Sequence, residues 1–120
     1  MAYDDQRLIS ISLTVAAMQT ANTDDLLCIL PQGFSGRLVG ASVFLTTGVT
    51  TAPCVFTVGS SADDTTYGTL SVPISAVNTS PAITVVKGTD IAPNATIWLG
   101  HAGAAGAGAG LVTLYFEVYE

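Results

Sequence analysis

His101 is the only histidine of the chain, so acid–base or nucleophilic catalysis would have to use it. A Ser-His-Asp or Cys-His arrangement needs an imidazole that a neighbouring acid holds in place. His101 lies in the run Leu-Gly-His-Ala-Gly, where a predicted strand enters a glycine tract. This neighbourhood indicates a loop position without an orienting acid nearby in the sequence. We therefore predict that His101 is structural and that the chain is not an enzyme.

Two glycine-containing runs have the residues of known motifs but not their context. The run 33–36 (GFSG) lacks the Gly-x-Ser-x-Gly spacing of a nucleophile elbow. The tract 103–110 contains a Gly-x-Gly, but a phosphate-binding loop of this kind is followed by a helix whose amides bind the anion. Here a predicted strand follows from Leu111. We interpret the tract 100–110 as a loop in which another backbone can approach closely.

Three pairs of adjacent aspartates are the candidate cation ligands: Asp4-Asp5, Asp24-Asp25 and Asp63-Asp64. Ca²⁺ takes about six to eight oxygens, whereas adjacent side chains on an extended chain point to opposite sides. One histidine and two separate cysteines do not make a transition-metal site. We expect solvated turn residues and no cofactor, with a cation bound at a subunit contact as the alternative.

Both cysteines lie inside apolar runs. Cys28 follows two leucines, and Cys54 precedes Val55 and Phe56. A free cysteine in such a run behaves as a small apolar residue. We predict two buried reduced thiols, although a disulfide between them stays open.

The charge of the chain argues against several kinds of partner. The net charge is −6, and Arg7, Arg37 and Lys87 are the only basic residues. Three scattered cations cannot form the basic stripe that binds nucleic acid, and an anionic membrane would repel the chain. No apolar run reaches the roughly 18 residues of a spanning helix, and the first residues do not follow the pattern of a secretory signal. We expect neither nucleic acid nor membrane as a partner.

The chain has few charged residues with which to keep its surface hydrated. Charged residues make up 10% of the chain and apolar residues 49%, where about 25% charged is usual. A folded monomer of this size has roughly 6,000 Å² of surface, which the twelve charges cover thinly. Part of the surface is therefore expected to be covered by other copies or partners.

Apolar residues recur every second position, which is the pattern of half-buried strands. The clearest cases are Ile9 to Val15 near the start and Val112 to Val118 near the end, with Glu117 on the wetter face. Six further strand candidates are 26–30, 37–47, 54–59, 68–76, 82–87 and 95–100. The runs at 43–44 and 55–56 are interpreted as two arms of one hairpin around 48–53. A short helical turn is possible only within 14–23.

Eight short strands separated by turn residues predict an all-β fold in one domain, 8–120. We expect a β-sandwich of about eight antiparallel strands. A jelly roll is slightly favoured over an immunoglobulin-like sandwich or a small barrel. Trp98 follows both cysteines, so the Cys-Trp-Cys order of a true immunoglobulin domain is missing.

Two runs carry a resemblance to a known family. They are 55–68 (VFTVGSSADDTTYG) and 87–100 (KGTDIAPNATIWLG), and a short Met-Ala start, few charges and a closing alternating strand accompany them. With these features the whole chain resembles the small all-β decoration, or cement, proteins of tailed bacteriophages. The resemblance implies a jelly roll or related sandwich that assembles as a homotrimer. It also implies that the segment 1–7 reaches out as an arm, and it brings no catalytic residues.

The resemblance further implies a partner and a place. Such proteins bind the major capsid protein at the outer face of the capsid, cap the junctions between its subunits and resist the pressure of the DNA. The chain is then made in the cytoplasm of the bacterial host and ends on the virion. The residues that we expect at its interfaces are Tyr3, Asp63, Asp64, Tyr67, Trp98, His101, Tyr115 and Tyr119.

Two alternatives stay open at this point. The aromatic residues could form a platform for a host glycan, which would make the chain a binding module of a phage tail or spike. Other structural roles in the virion, such as a head–tail adaptor, fit the same composition. Aromatics at this density more often belong to a core and to subunit contacts.

Overall fold

The computed structural model describes residues 7–18, 20, 25–30, 32–61, 64–101 and 105–119. These residues form an all-β fold with turns between the strands. The strands are β1 (Arg7–Val15), β2 (Asp25–Ile29), β3 (Ser35–Thr50), β4 (Cys54–Gly59), β5 (Gly68–Val72), β6 (Thr84–Lys87), β7 (Thr96–His101) and β8 (Ala107–Tyr119). No helix in this part of the chain is long and apolar enough to cross a membrane.

The strands form two antiparallel sheets that pack face to face, so the predicted single-domain β-sandwich is confirmed. One sheet has the order β1-β8-β3 and the other β2-β7-β4-β5-β6. The pairs β1:β8, β2:β7 and β4:β5 are nested, as in a jelly roll, where the chain folds like one long hairpin that is rolled up. The remaining pair of a jelly roll would be β3:β6. Here β6 pairs with β5 and only touches β3.

The core lies between the sheets and follows the alternation read from the sequence. In β8 every even-numbered residue from Gly108 to Val118 is buried, while the odd-numbered residues are partly or fully exposed. Phe56 from one sheet and Phe116 from the other are its largest fully buried side chains. Period-two patterning therefore decides which face of each strand loses contact with water.

The predicted hairpin around 48–53 is wrong. Strand β3 belongs to the three-stranded sheet and β4 to the five-stranded sheet, so their two Val-Phe runs do not pair. β3 continues through Gly48 to Thr50 because it pairs with β8 along its length, with register shifts after Leu45 and Thr47. The chain then changes sheets at 51–53, where Thr51 has a positive φ of 74°.

The predicted loop at 100–110 is also shorter than expected. His101 still belongs to β7, and Ala107 to Gly110 begin β8; residues 102–104 lie outside the described part. A Cβ atom on Gly110 would lie 2.2 Å from the carbonyl oxygen of Phe44. The expected close approach of a second backbone is thus found inside a sheet, because glycine lets β8 and β3 lie unusually near each other.

Two other expectations concern chain segments that are described only in part. Residues 16–18 form a turn after β1, while 19 and 21–24 lie outside the described residues, as do 1–6 of the predicted arm. Both cysteines are free, as predicted. Cys54 is buried, but Cys28 is only partly buried because it lies on the outermost strand of its sheet.

Candidate interaction surfaces

The outer face of the five-stranded sheet is built from short, uncharged side chains. The cross-strand neighbours Val55, Ser71 and Thr84 form one row, and Thr57, Thr69 and Val86 form the next. These six residues are partly or fully exposed, and in β4 and β5 they alternate with buried residues. We call them the threonine face.

No ionised side chain interrupts the threonine face. The only Asp, Glu, Lys or Arg residues in the five strands are Asp25, the first residue of β2, and Lys87, the last residue of β6. Val55 and Val86 expose 41% and 58% of their surface on this face. The absence of charge agrees with the central part of a protein interface, where charged residues are depleted.

Trp98 extends the uncharged surface toward β2. It is half-buried on β7, and its cross-strand neighbours are Gly59 on one side and Leu26 on the other. The indole Nε1 donates a hydrogen bond to the Thr96 hydroxyl at 3.1 Å, and Thr96 donates to the Ser60 carbonyl at 2.7 Å. Its polar end is thus satisfied within the chain, which leaves the ring as an apolar contact surface.

The outer face of the three-stranded sheet has a different chemistry. Arg37 donates hydrogen bonds from Nε and Nη2 to one carboxylate oxygen of Glu117, and its guanidinium lies 5.6 Å from the centre of the Tyr119 ring. The Tyr119 hydroxyl donates to Asp90 at 2.6 Å. Hydrogen bonds stabilise the protonated phenol and the charged guanidinium, so the pKa values of both Tyr119 and Arg37 are raised.

The rest of that face combines a band of hydroxyl groups with three exposed apolar side chains, Leu8, Phe44 and Leu111. Ser12 and Thr113 are 2.9 Å apart through their side-chain oxygens, and Ser42 and the Tyr115 hydroxyl are 3.3 Å apart. Tyr115 and Tyr119 are both half-exposed on β8. Several polar groups of this face are therefore paired within the chain, and the face carries the ionised side chains of Arg37 and Glu117.

Asp64 organises the loop between β4 and β5. One of its carboxylate oxygens accepts hydrogen bonds from the backbone N–H and hydroxyl of Ser60, and the other accepts from those of Thr66. These bonds, the Thr66 hydroxyl first, lower the pKa of Asp64 to about 2. The expected role as a turn residue thus fits Asp64, while its neighbour Asp63 lies outside the described residues.

The predicted interface residues are not brought together. Tyr67 and His101 are only 5% and 7% exposed, so in the isolated chain they have almost no surface to offer a partner, and we remove them from the set. Trp98 lies on the outer face of one sheet and Tyr115 and Tyr119 on that of the other. Tyr3 lies outside the described residues. The aromatic residues that are described therefore do not form one platform for a glycan.

His101 lies at the end of a strand and inside the fold, where the sequence predicted a loop. Its ring is tilted by 50° against Phe56 at a centroid distance of 5.3 Å. Nε2 lies 3.1 Å from the carbonyl oxygen of Ala17, just after β1. The histidine therefore links the end of β1 to β7 across the sandwich. Within the described ranges, no three His, Cys, Asp or Glu residues are placed to hold a metal ion.

Sequence reasoning missed the residues of the threonine face. Thr57, Thr69 and Ser71 are the polar members of alternating strands, whereas Val55 and Val86 lie in apolar runs, and the sequence does not say which strands are neighbours. The absence of charge from 54–59, 68–72 and 96–100 was the available signal. Comparisons of the chain with protein families, with curated proteins and with solved structures found no match.

Proposed function

We propose that this chain is a structural virion protein that decorates and stabilises a bacteriophage capsid, and that it docks on the outer capsid surface through the threonine face. The observation that carries the proposal is the uncharged outer face of the five-stranded sheet. A protein whose task is to cover another surface needs contact area more than it needs reactive groups. The threonine face offers area without the cost of removing charges from water.

The energetics of the threonine face fit attachment in many copies. Apolar surface removed from water contributes roughly 25 cal/mol per Å², and association costs offset part of this. Threonine supplies a methyl group for burial and a hydroxyl that can bond to the partner or to a trapped water. A modest contact of this kind is sufficient when many copies bind one lattice, since neighbouring contacts then reinforce each other.

The resemblance to phage decoration proteins concerns the same part of the fold. The run 55–68 supplies nearly all of β4 and the loop to β5, and the run 87–100 ends β6 and supplies most of β7. Both runs therefore build the middle of the five-stranded sheet. The resemblance therefore concerns the same sheet as the threonine face and shares Val55 and Thr57 with it, whereas Thr69, Ser71, Thr84 and Val86 lie outside both runs.

The proposal includes self-association. The resemblance implies a homotrimer. A chain with so few charges is also expected to bury part of its surface against other copies. Light scattering during size-exclusion chromatography measures the mass directly, and we expect a trimer, with a mass near three chains of 12.2 kDa each, as the smallest assembly. A clean monomer at high concentration that also fails to bind capsids would overturn the proposed function.

Docking is tested by co-sedimentation with capsids that were assembled without this chain. Thr84→Asp places a charge at an exposed site of the threonine face, and Ser42→Asp places the same charge at an exposed site of the other sheet. We expect Thr84→Asp to weaken binding at least about tenfold, the equivalent of about 1.4 kcal/mol, and Ser42→Asp to bind like the unmodified chain. Equal binding of the two variants would contradict docking through the threonine face.

A further inference from the structure

Three of the four sheet edges carry features that prevent a further strand from pairing with them. The edge of β3 is covered by the chain itself: Val49 exchanges two backbone hydrogen bonds with Ser75, at 2.9 and 3.1 Å, and Gly36 exchanges two with Ile91. In the other sheet, β2 has five residues and a register shift between Leu26 and Cys28. β6 has four residues and ends in a lysine. Coverage, irregularity, shortness and charge are the usual protections of an edge.

Within the part of the chain that the structure describes, the fourth edge, that of β1, has none of these features. β1 is nine residues long and pairs with β8 in an unbroken register from Arg7 to Val15. It contains no proline, and its only ionisable residue is at its first position. Among the described residues, the backbone from Leu8 to Val15 has no strand partner other than β8. Leu8 is 67% exposed and Ile9 is 36% exposed, although Ile9 faces the side of the sheet that carries the core.

From this contrast we infer that β1 pairs with β1 of a second copy of this chain, antiparallel and centred on Ile11. The three-stranded sheets of the two copies then form one six-stranded sheet across a two-fold axis. The contact does not involve the threonine face, so it goes beyond the docking proposed above.

The sequence of β1 is complementary to itself in this arrangement. Antiparallel pairing about Ile11 places Ile9 opposite Leu13 of the second copy, and Ile11 opposite its own equivalent. These residues share the inward face of the sheet, so the core sides of both copies stay on the same side. On the outer face Ser10 lies opposite Ser12 of the second copy, which continues the hydroxyl band formed by Ser12 and Thr113.

Repulsion between two acidic copies is weakest where they meet through an edge without acidic residues, such as that of β1. The chain carries a net charge of −6, so most approaches of two copies bring carboxylates together. β1 contains no acidic residue, and the register about Ile11 places no two charges opposite each other. The pairing also removes part of Leu8 and Ile9 from water and gives hydrogen-bond partners to the backbone groups of the open edge.

A charge-exchange experiment tests this pairing. The double variant Ser10→Glu/Ser12→Glu places glutamates opposite each other at two positions, and Ser10→Lys/Ser12→Lys does the same with lysines. Both residues are exposed on the outer face, so the fold is expected to persist. A two-fold contact closes on two copies and therefore joins two of the proposed trimers, so we expect a mass near six chains for the unmodified chain at high concentration and near three chains for each double variant. The dissociation constant of the contact rises at least about tenfold.

The decisive measurement is made on a mixture of the two double variants, in which glutamates lie opposite lysines. We expect the mixture to recover the full mass. Native mass spectrometry is expected to show equal numbers of the glutamate variant and the lysine variant in this assembly. Ser42→Glu/Thr46→Glu, on exposed positions of β3, is the control and keeps the full mass. Unchanged masses of both variants, or no recovery on mixing, would overturn the β1 contact. Capsid docking through the threonine face would be unaffected by either result.

Discussion

The two thiols of the chain differ in how far burial removes them from water. Burial raises the pKa of Cys54 to about 11 and raises that of the partly buried Cys28 as well. The thiolate is the reactive form, so a raised pKa lowers the reactive fraction at neutral pH. We predict that both thiols react slowly in the folded chain and that Cys28 is alkylated before Cys54. After timed exposure to iodoacetamide, mass spectrometry of Cys28→Ser measures the alkylation rate of Cys54, and that of Cys54→Ser measures the rate of Cys28. Rapid labelling of both thiols at equal rates would contradict the burial of Cys54.

Asp64 makes the stability of the chain depend on pH in the acid range. Its pKa is about 2 in the folded chain and 3.8 in the absence of its hydrogen bonds. A carboxyl with a depressed folded pKa contributes stability above the unfolded value, and the contribution is lost as the pH falls from about 4 toward 2. Asp64→Asn removes this contribution, so we expect it to lower the melting temperature at pH 7 but not at pH 2. Thermal unfolding at both pH values measures the difference, which we expect to correspond to less than about 1 kcal/mol because the carboxyl is partly exposed.

At the scale of elements, the approach of β8 to β3 depends on one missing side chain. A Cβ on Gly110 would meet the backbone of Phe44, with its carbonyl oxygen at 2.2 Å, and a backbone atom cannot swing away. Gly110→Ala is therefore expected to destabilise the fold by roughly 1–3 kcal/mol, as overpacking does. Gly40→Ala is the matched control in the same pair of strands, since its Cβ would lie 4.0 Å from the nearest atom, a Tyr115 ring carbon. Equal denaturation midpoints of the two variants would show that β3 and β8 can move apart to accept a Cβ at position 110 without a loss of free energy of unfolding.

The strands themselves could be predicted from the sequence, but their neighbours could not. Alternation gave β1 and β8 and the buried face of each, because the period of two is a local property of a strand. The hairpin prediction failed because pairing depends on contacts between distant residues, such as Ser12 with Thr113. The turn residues at 48–53 indicate that the chain bends there, but they do not indicate whether the next strand joins the same sheet or the other one.

The interface prediction has the same physical limit. Aromatic residues were chosen by type, but Tyr67 is buried and Trp98 is on the opposite side of the sandwich from Tyr115. Composition could indicate that some surface is covered, because that is a sum over the whole chain. It could not assign Val55, Ser71 and Thr84 to one row, since this follows from the strand order β4-β5-β6. The strand order of a β-sandwich determines which residues share a surface, and the chemistry of that surface depends on the residues that the strand order brings together.

For the whole molecule, the two sheets predict how capsid docking responds to salt. Ionic strength screens contacts between exposed charges over about 10 Å at 0.1 M, but it hardly affects contacts between methyl and hydroxyl groups. The threonine face has no ionised side chain, while the chain as a whole is acidic with an isoelectric point near 4.2. Raising the salt therefore weakens only the general repulsion of acidic copies that gather on one lattice.

We accordingly predict that co-sedimentation with capsids stays constant or strengthens from low to high NaCl concentration. Docking through ion pairs of Arg37, Glu117 and Asp90 on the other sheet would weaken under the same conditions. Arg37→Gln provides the control, because it removes the central cation of that cluster. Its attachment should match that of the unmodified chain at every salt concentration. A steep loss of binding with salt, abolished by Arg37→Gln, would move the docking surface to the three-stranded sheet.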